Sequence, residues 1–154
     1  AYTEQSRRKW VVLTSVIAVI ASSASPFGPL GSFWGSPVVP EDVDPTTFQL
    51  ILFGLNSLAS SIIFGLGISF LIFGYAKVKT MQPASKRLTL AAYFSIVWLL
   101  TSWWPHENLH DTVGDRINAN IAVDYGFHMT LMIAGVILAY FFWTLMRPQT
   151  TTSS

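Results

Sequence analysis

The sequence predicts an all-α integral membrane four-helix bundle, with N- and C-termini cytoplasmic and a short outer-side helix between the third and fourth spans. Three observations predict it. Four long apolar stretches divide the 154 residues. Hydrophobic residues make up 51% of the chain and charged residues only 11%, whereas a soluble domain carries about 25% charged residues. Eight of the nine Lys and Arg fall on one side of the apolar stretches.

The first stretch runs from about residue 10 to 25, behind Arg7, Arg8 and Lys9. Cations, an apolar run and the small residues Ala21 to Ser25 also make the pattern of a signal peptide. The segment is read as an uncleaved spanning helix. The second stretch covers about 47–76, the third about 88–104 and the fourth about 120–146. A spanning helix needs roughly 20 apolar residues. The second and fourth exceed that length and are expected to tilt or project beyond the bilayer. The first and third lie near the lower limit. Residues 1–147 are read as one transmembrane domain, and 148–154 as a disordered tail.

Orientation follows from the cations. Arg7, Arg8 and Lys9 precede the first span, Lys77, Lys79, Lys86 and Arg87 fill the link between the second and third, and Arg147 follows the fourth. Only Arg116 lies opposite. Positive residues stay inside, so those eight are placed in the cytoplasm. The first outer loop, about Ser25 to Thr46, holds Pro26, Pro29, Pro37, Pro40 and Pro45. Proline fixes φ and removes a donor, so the loop is expected to be extended and irregular. Its Phe27, Phe33 and Trp34 suit the interface or the helix ends.

The second stretch carries small residues at four-residue spacing: Ser57, Ser61, Gly65 and Ser69. In lipid, close backbone approach drives helix association, so this row marks a packing face, within the chain or against another subunit. Asn56 requires a polar partner, because an unpaired amide in hydrocarbon is costly.

Candidate chemistry concentrates in the outer region. The chain has no cysteine, which excludes thiolate metal sites, iron–sulfur clusters and cysteine nucleophiles. A net charge of +1 argues against nucleic acid. Neither a phosphate-cradling glycine loop nor a serine nucleophile elbow is present. All three histidines fall between Trp103 and His128. A short helix from about Pro105 to Val113, ended by Gly114, would put His106 and His110 on one face. Asp124 and His128 share a face of the fourth span, within the outer leaflet. Ionisable residues at that depth mark a functional site by default.

These residues point to an outer-side metal site of His106, His110, His128 and Asp124, with Glu107, Asp111 and Tyr125 around it. Glu107 is an alternative fourth ligand or an acceptor that orients a ring. Imidazole and carboxylate without sulfur suit a transition metal, copper or zinc foremost. Haem or a chlorin pigment is the weaker cofactor, since no opposed histidines at matching depth stand out. The blander alternative is a hydrogen-bonded cluster that only fixes packing.

The functional expectation is a small subunit of a larger membrane complex of the oxidoreductase type. Its partners would be the lipid bilayer and other membrane subunits, or further copies of the chain. Whether the chain itself is an enzyme stays open. Three competitors remain. One is an accessory subunit without metal, for instance in a copper membrane monooxygenase, an analogy of ligand chemistry alone. Another is a haem- or pigment-binding subunit of an electron-transfer or light-harvesting complex. The last is a proton or ion pathway through Asp124 and His128.

Overall fold

The computed structural model describes residues 4–34, 45–81 and 83–146. Arg147, the tail 148–154 and the loop residues 35–44 lie outside the described residues. The described chain is all-helical: α1 (Glu4–Ala24), α2 (Thr47–Val78), α3 (Lys86–Thr101), α4 (Trp103–Val113) and α5 (Ile117–Met146), with a single 3₁₀ turn at Gly31–Trp34. By length and composition α2 and α5 can each cross a membrane, and α3 with α4 makes a third if the bent pair counts as one span. α1 is not among them. Arg7, Arg8 and Lys9 occupy its first two turns and leave a shorter apolar part from Trp10 to Ala24.

Local chemistry sets the helix ends. Thr46 caps α2 reciprocally: its Oγ1 accepts from the Gln49 backbone N–H, and Gln49 Oε1 accepts from the Thr46 N–H at 2.8 Å. Ser85 caps α3 by accepting from the Leu88 N–H at 3.2 Å. α3 stops at Thr101 because Pro105 has no N–H to return to the Thr101 carbonyl and its ring crowds that carbonyl. The axis turns by 42° and α4 begins. The sequence places the start of this helix at Pro105. It begins two residues earlier, at Trp103, because N–H groups in a first turn have no intrahelical acceptor and proline forfeits nothing there. Gly114 ends α4 with φ 54°, a left-handed backbone that glycine adopts without strain. Arg116 then donates to the Val113 and Thr112 carbonyls at 2.9 Å each. The outlying cation is thus a cap on α4.

The end of α1 is finished from three directions. Trp104 Nε1–H on α4 donates to the Ala21 carbonyl at 3.2 Å. Ser25 Oγ donates to the Ser22 carbonyl, the Leu30 N–H to the Ser23 carbonyl, and Trp34 Nε1–H to the Ala24 carbonyl at 2.7 Å. All four terminal carbonyls of α1 are therefore satisfied, which matters most where water is scarce. The described part of the first outer loop is accordingly compact, not extended as its prolines suggest. Gly28 allows this, because a Cβ there would collide with the Ser23 carbonyl oxygen.

The small-residue row of α2 faces α1. Ser61, Gly65 and Ser69 are buried and Ser57 is half-buried. A Cβ on Gly65 would sit 2.5 Å from the Thr14 carbonyl oxygen, and Thr14 Oγ1 donates to Ser69 Oγ at 2.9 Å. Gly67 and Gly74 serve α3 instead, against Thr101 with Leu100 and against the Tyr93 ring. α5 packs along α3 and under α4. Its rotation is fixed by Trp98, which stacks on Phe127 with 5.8 Å between centroids and donates to Thr130 Oγ1 at 3.0 Å. These contacts bring Arg7, Arg8, Lys9, Lys77, Lys79, Lys86 and Arg87 to one end of the molecule and α4 to the other.

The unfolding midpoints of three variants check this packing. Gly65→Leu is expected to destabilise the protein by about 1–3 kcal/mol through overpacking, seen as a lower midpoint of thermal unfolding in detergent. Gly54→Leu, where nothing lies within 4 Å, should leave the midpoint unchanged or slightly raised. Trp104→Phe keeps the ring against Phe64 and Trp34 but removes the donor to Ala21. It should cost about 1–3 kcal/mol for the orphaned carbonyl.

Candidate metal centre

Two rows of side chains meet where α4 crosses α5. α4 presents His106 and His110, one turn apart. α5 presents Asn120, Asp124 and His128, each one turn from the next. The three residues Gly114 to Arg116 join the two helices, so the rows are held in a tight hairpin.

Asp124 Oδ1 is the hub. It lies 3.2 Å from His110 Nε2, 3.8 Å from His128 Nδ1 and 3.9 Å from His106 Nε2. The Nε2 atoms of His106 and His110 are 3.1 Å apart. The His106 ring stands edge-on to His110, with centroids 4.6 Å apart, and lies 5.0 Å from that of His128. His106, Asp124 and His128 each offer one ligand atom, all within 4.8 Å of one another, a group that could hold a metal ion. His110 adds a fourth donor beside His106 and Asp124.

Burial grades across this cluster. The side chain of His106 is 13% exposed and that of His110 35%, whereas Asp124 and His128 reach 45% and 53%. Phe127 and Trp103 cover His106. The cluster is thus closed on the α4 side and open along the flank of α5.

The surrounding residues named from the sequence separate here. Glu107 faces α2, where its Oε1 accepts from Asn56 Nδ2 at 2.7 Å. The amide that required a partner thus finds one 51 positions along the chain. Asp111, at the loop end of α4, is half-buried. Burial and, second, the neighbouring charge of Glu107 push its carboxyl above the usual carboxylate range, against the pull of His110. Tyr125 turns outward and is 69% exposed.

A polar residue outside the ligand set that touches a ring is Asn120, which the sequence reading does not single out. Its Oδ1 lies 3.2 Å from His110 Nδ1, and its Nδ2 donates to the Gly114 carbonyl at 2.6 Å. The signal was available: Asn120 continues the four-residue row of Asp124 and His128. An uncharged amide at a helix start carries no ionisable signature.

Chemically, the arrangement offers three imidazoles and one carboxylate, with no thiolate in the chain. That donor set suits borderline and harder transition metals. No protein-family model, characterised protein or solved structure matches the chain, so the reading of this site rests on its geometry.

Proposed function

We propose that the chain is a multi-pass membrane protein holding one transition-metal ion, copper or zinc, at an outer-side centre of His106, His110, His128 and Asp124. It serves as a small subunit of a larger membrane complex of the oxidoreductase type. One observation carries the metal reading. The donor atoms lie 3.1 to 3.9 Å apart in the contacts around Asp124 Oδ1 and His106 Nε2. Atoms bound tetrahedrally at about 2.1 Å from one ion are about 3.4 Å from each other. Four of the six donor pairs are therefore near the spacing that one ion imposes, and His106, Asp124 and His128 lie within 4.8 Å of one another. Its open side along α5 gives an ion an entry path.

The membrane reading takes α1, α2, α3 and α5 as four crossings and α4 as the outer cap, with both termini inside. It is supported by the cations gathered at the end away from α4 and by the apolar length of α2 and α5. The subunit reading is supported by the bareness of α5: in its most apolar stretch 6% of residues are buried within the chain, against 33% for α2. Lipid covers such a surface, and so does a neighbouring subunit.

The metal reading is tested on protein purified in detergent, stripped with chelator and titrated with Zn²⁺ and Cu²⁺. One ion per chain is expected, with a concentration-dependent rise in the unfolding midpoint. His106→Ala, His128→Ala and Asp124→Asn should each weaken binding on the order of 100-fold, since each removes about a quarter of the ligand set. Folded wild-type protein that binds neither ion would reject the centre and favour a hydrogen-bonded cluster that only holds the cap.

Orientation is tested separately, because a chain without cysteine accepts single reporters cleanly. On intact cells a membrane-impermeant maleimide should label Asp115→Cys, and label Lys79→Cys only after permeabilisation. The opposite pattern would invert the topology.

A further inference from the structure

Resting on the metal reading above, we infer that Asn120 is a positioning residue. It sets the tautomer of His110, so that this ring enters the centre through Nε2 as a fourth protein ligand. The geometry allows one assignment of the Asn120 amide. The Gly114 carbonyl only accepts, and it is 2.6 Å from one end of that amide, so this end is the NH₂. The other end is then the amide oxygen, 3.2 Å from His110 Nδ1. An amide oxygen also only accepts, so Nδ1 carries the hydrogen. In the neutral ring, the form that binds a metal, this is the one N–H, which leaves an electron pair on Nε2.

That pair points into the cluster. Nε2 of His110 lies 3.2 Å from Asp124 Oδ1 and 3.1 Å from His106 Nε2. The carboxylate brings more electron pairs and no hydrogen. What answers them is an electropositive centre: the Nε2–H of His106 before an ion arrives, and the ion afterwards. In a cluster built only for hydrogen bonding, a neutral His110 would place its hydrogen on Nε2 and donate to Asp124. Asn120 holds it on the far nitrogen. This is the arrangement in which an outer acceptor fixes ring orientation and raises the basicity of a ligating histidine.

The position of Asn120 fits this role. It sits in the first turn of α5, one turn before Asp124, with its NH₂ on the carbonyl of the residue that ends α4. The same side chain therefore ties the α4–α5 hairpin and orients the ring across it. Such a residue has two separable functions, and the test must read the second.

Protein with ¹⁵N-labelled histidine, metal-free in detergent, reports the tautomer through two-bond nitrogen–hydrogen correlations. Wild type should show His110 with hydrogen on Nδ1 and an unprotonated Nε2. An Nε2–H tautomer of wild type overturns the inference without any variant. Asn120→Ala should release the ring to mixed tautomers and weaken Zn²⁺ binding by about 10- to 100-fold. Asn120→Asp keeps an acceptor for Nδ1–H while losing the donor to Gly114, so it should restore the tautomer and most of the affinity. Asn120→Ala protein that keeps both also overturns the inference. If wild type shows the Nδ1–H form, Asn120→Ala loses it and Zn²⁺ binds to neither, Asn120 stands as the ring's positioning residue and the metal reading falls.

Discussion

The arrangement of this molecule depends on one absent hydrogen. Pro105 cannot return an N–H to the Thr101 carbonyl, so the third helix breaks and the next turns away by 42°. A straight continuation would carry His106 and His110 onward along the axis of α3. The turn instead lays α4 across the ends of its neighbours. There it is tied to three of them: Trp104 to the last turn of α1, Glu107 to Asn56 of α2, and Arg116 with Asn120 at the junction with α5. Each tie satisfies a polar group of α4 or of the helix end that it meets. The same ties place the α4 imidazoles over the carboxylate of α5.

Much of this was legible in the sequence because two patterns carry it. Apolar runs mark the long helices, and four-residue spacing marks the faces that matter: Ser61, Gly65 and Ser69 toward α1, His106 with His110, and Asp124 with His128. Helix starts were less legible. α1 begins at Glu4, well before its apolar part, because Gln, Arg and Lys are good helix formers that hydropathy ignores. The start of α4 was displaced by treating proline as the first helical residue when it occupies the third.

What the sequence hides is rotation about a helix axis. Glu107 adjoins His106 in the chain, but one residue turns the side chain by about 100°, enough to send it to α2. Asn56 visibly needed a partner, and nothing local could say that it lies on α4. Asn120 was hidden differently. Its amide carries no charge, so it reads as a helix-start residue until the Gly114 carbonyl and the His110 ring are seen on either side of it.

The proposed ligands are divided evenly, two on α4 and two on α5, with only Gly114 to Arg116 between the helices. An ion gripping both rows would act as a rivet through the hairpin, converting its binding free energy directly into resistance to opening. Reciprocity then applies: whatever presses α5 against α4 tightens the grip on the ion, and whatever pries them apart loosens it by the same factor. On the proposed reading, the bare flank of α5, which a lipid or a neighbouring chain would cover, would thereby become a handle on the chemistry at its end.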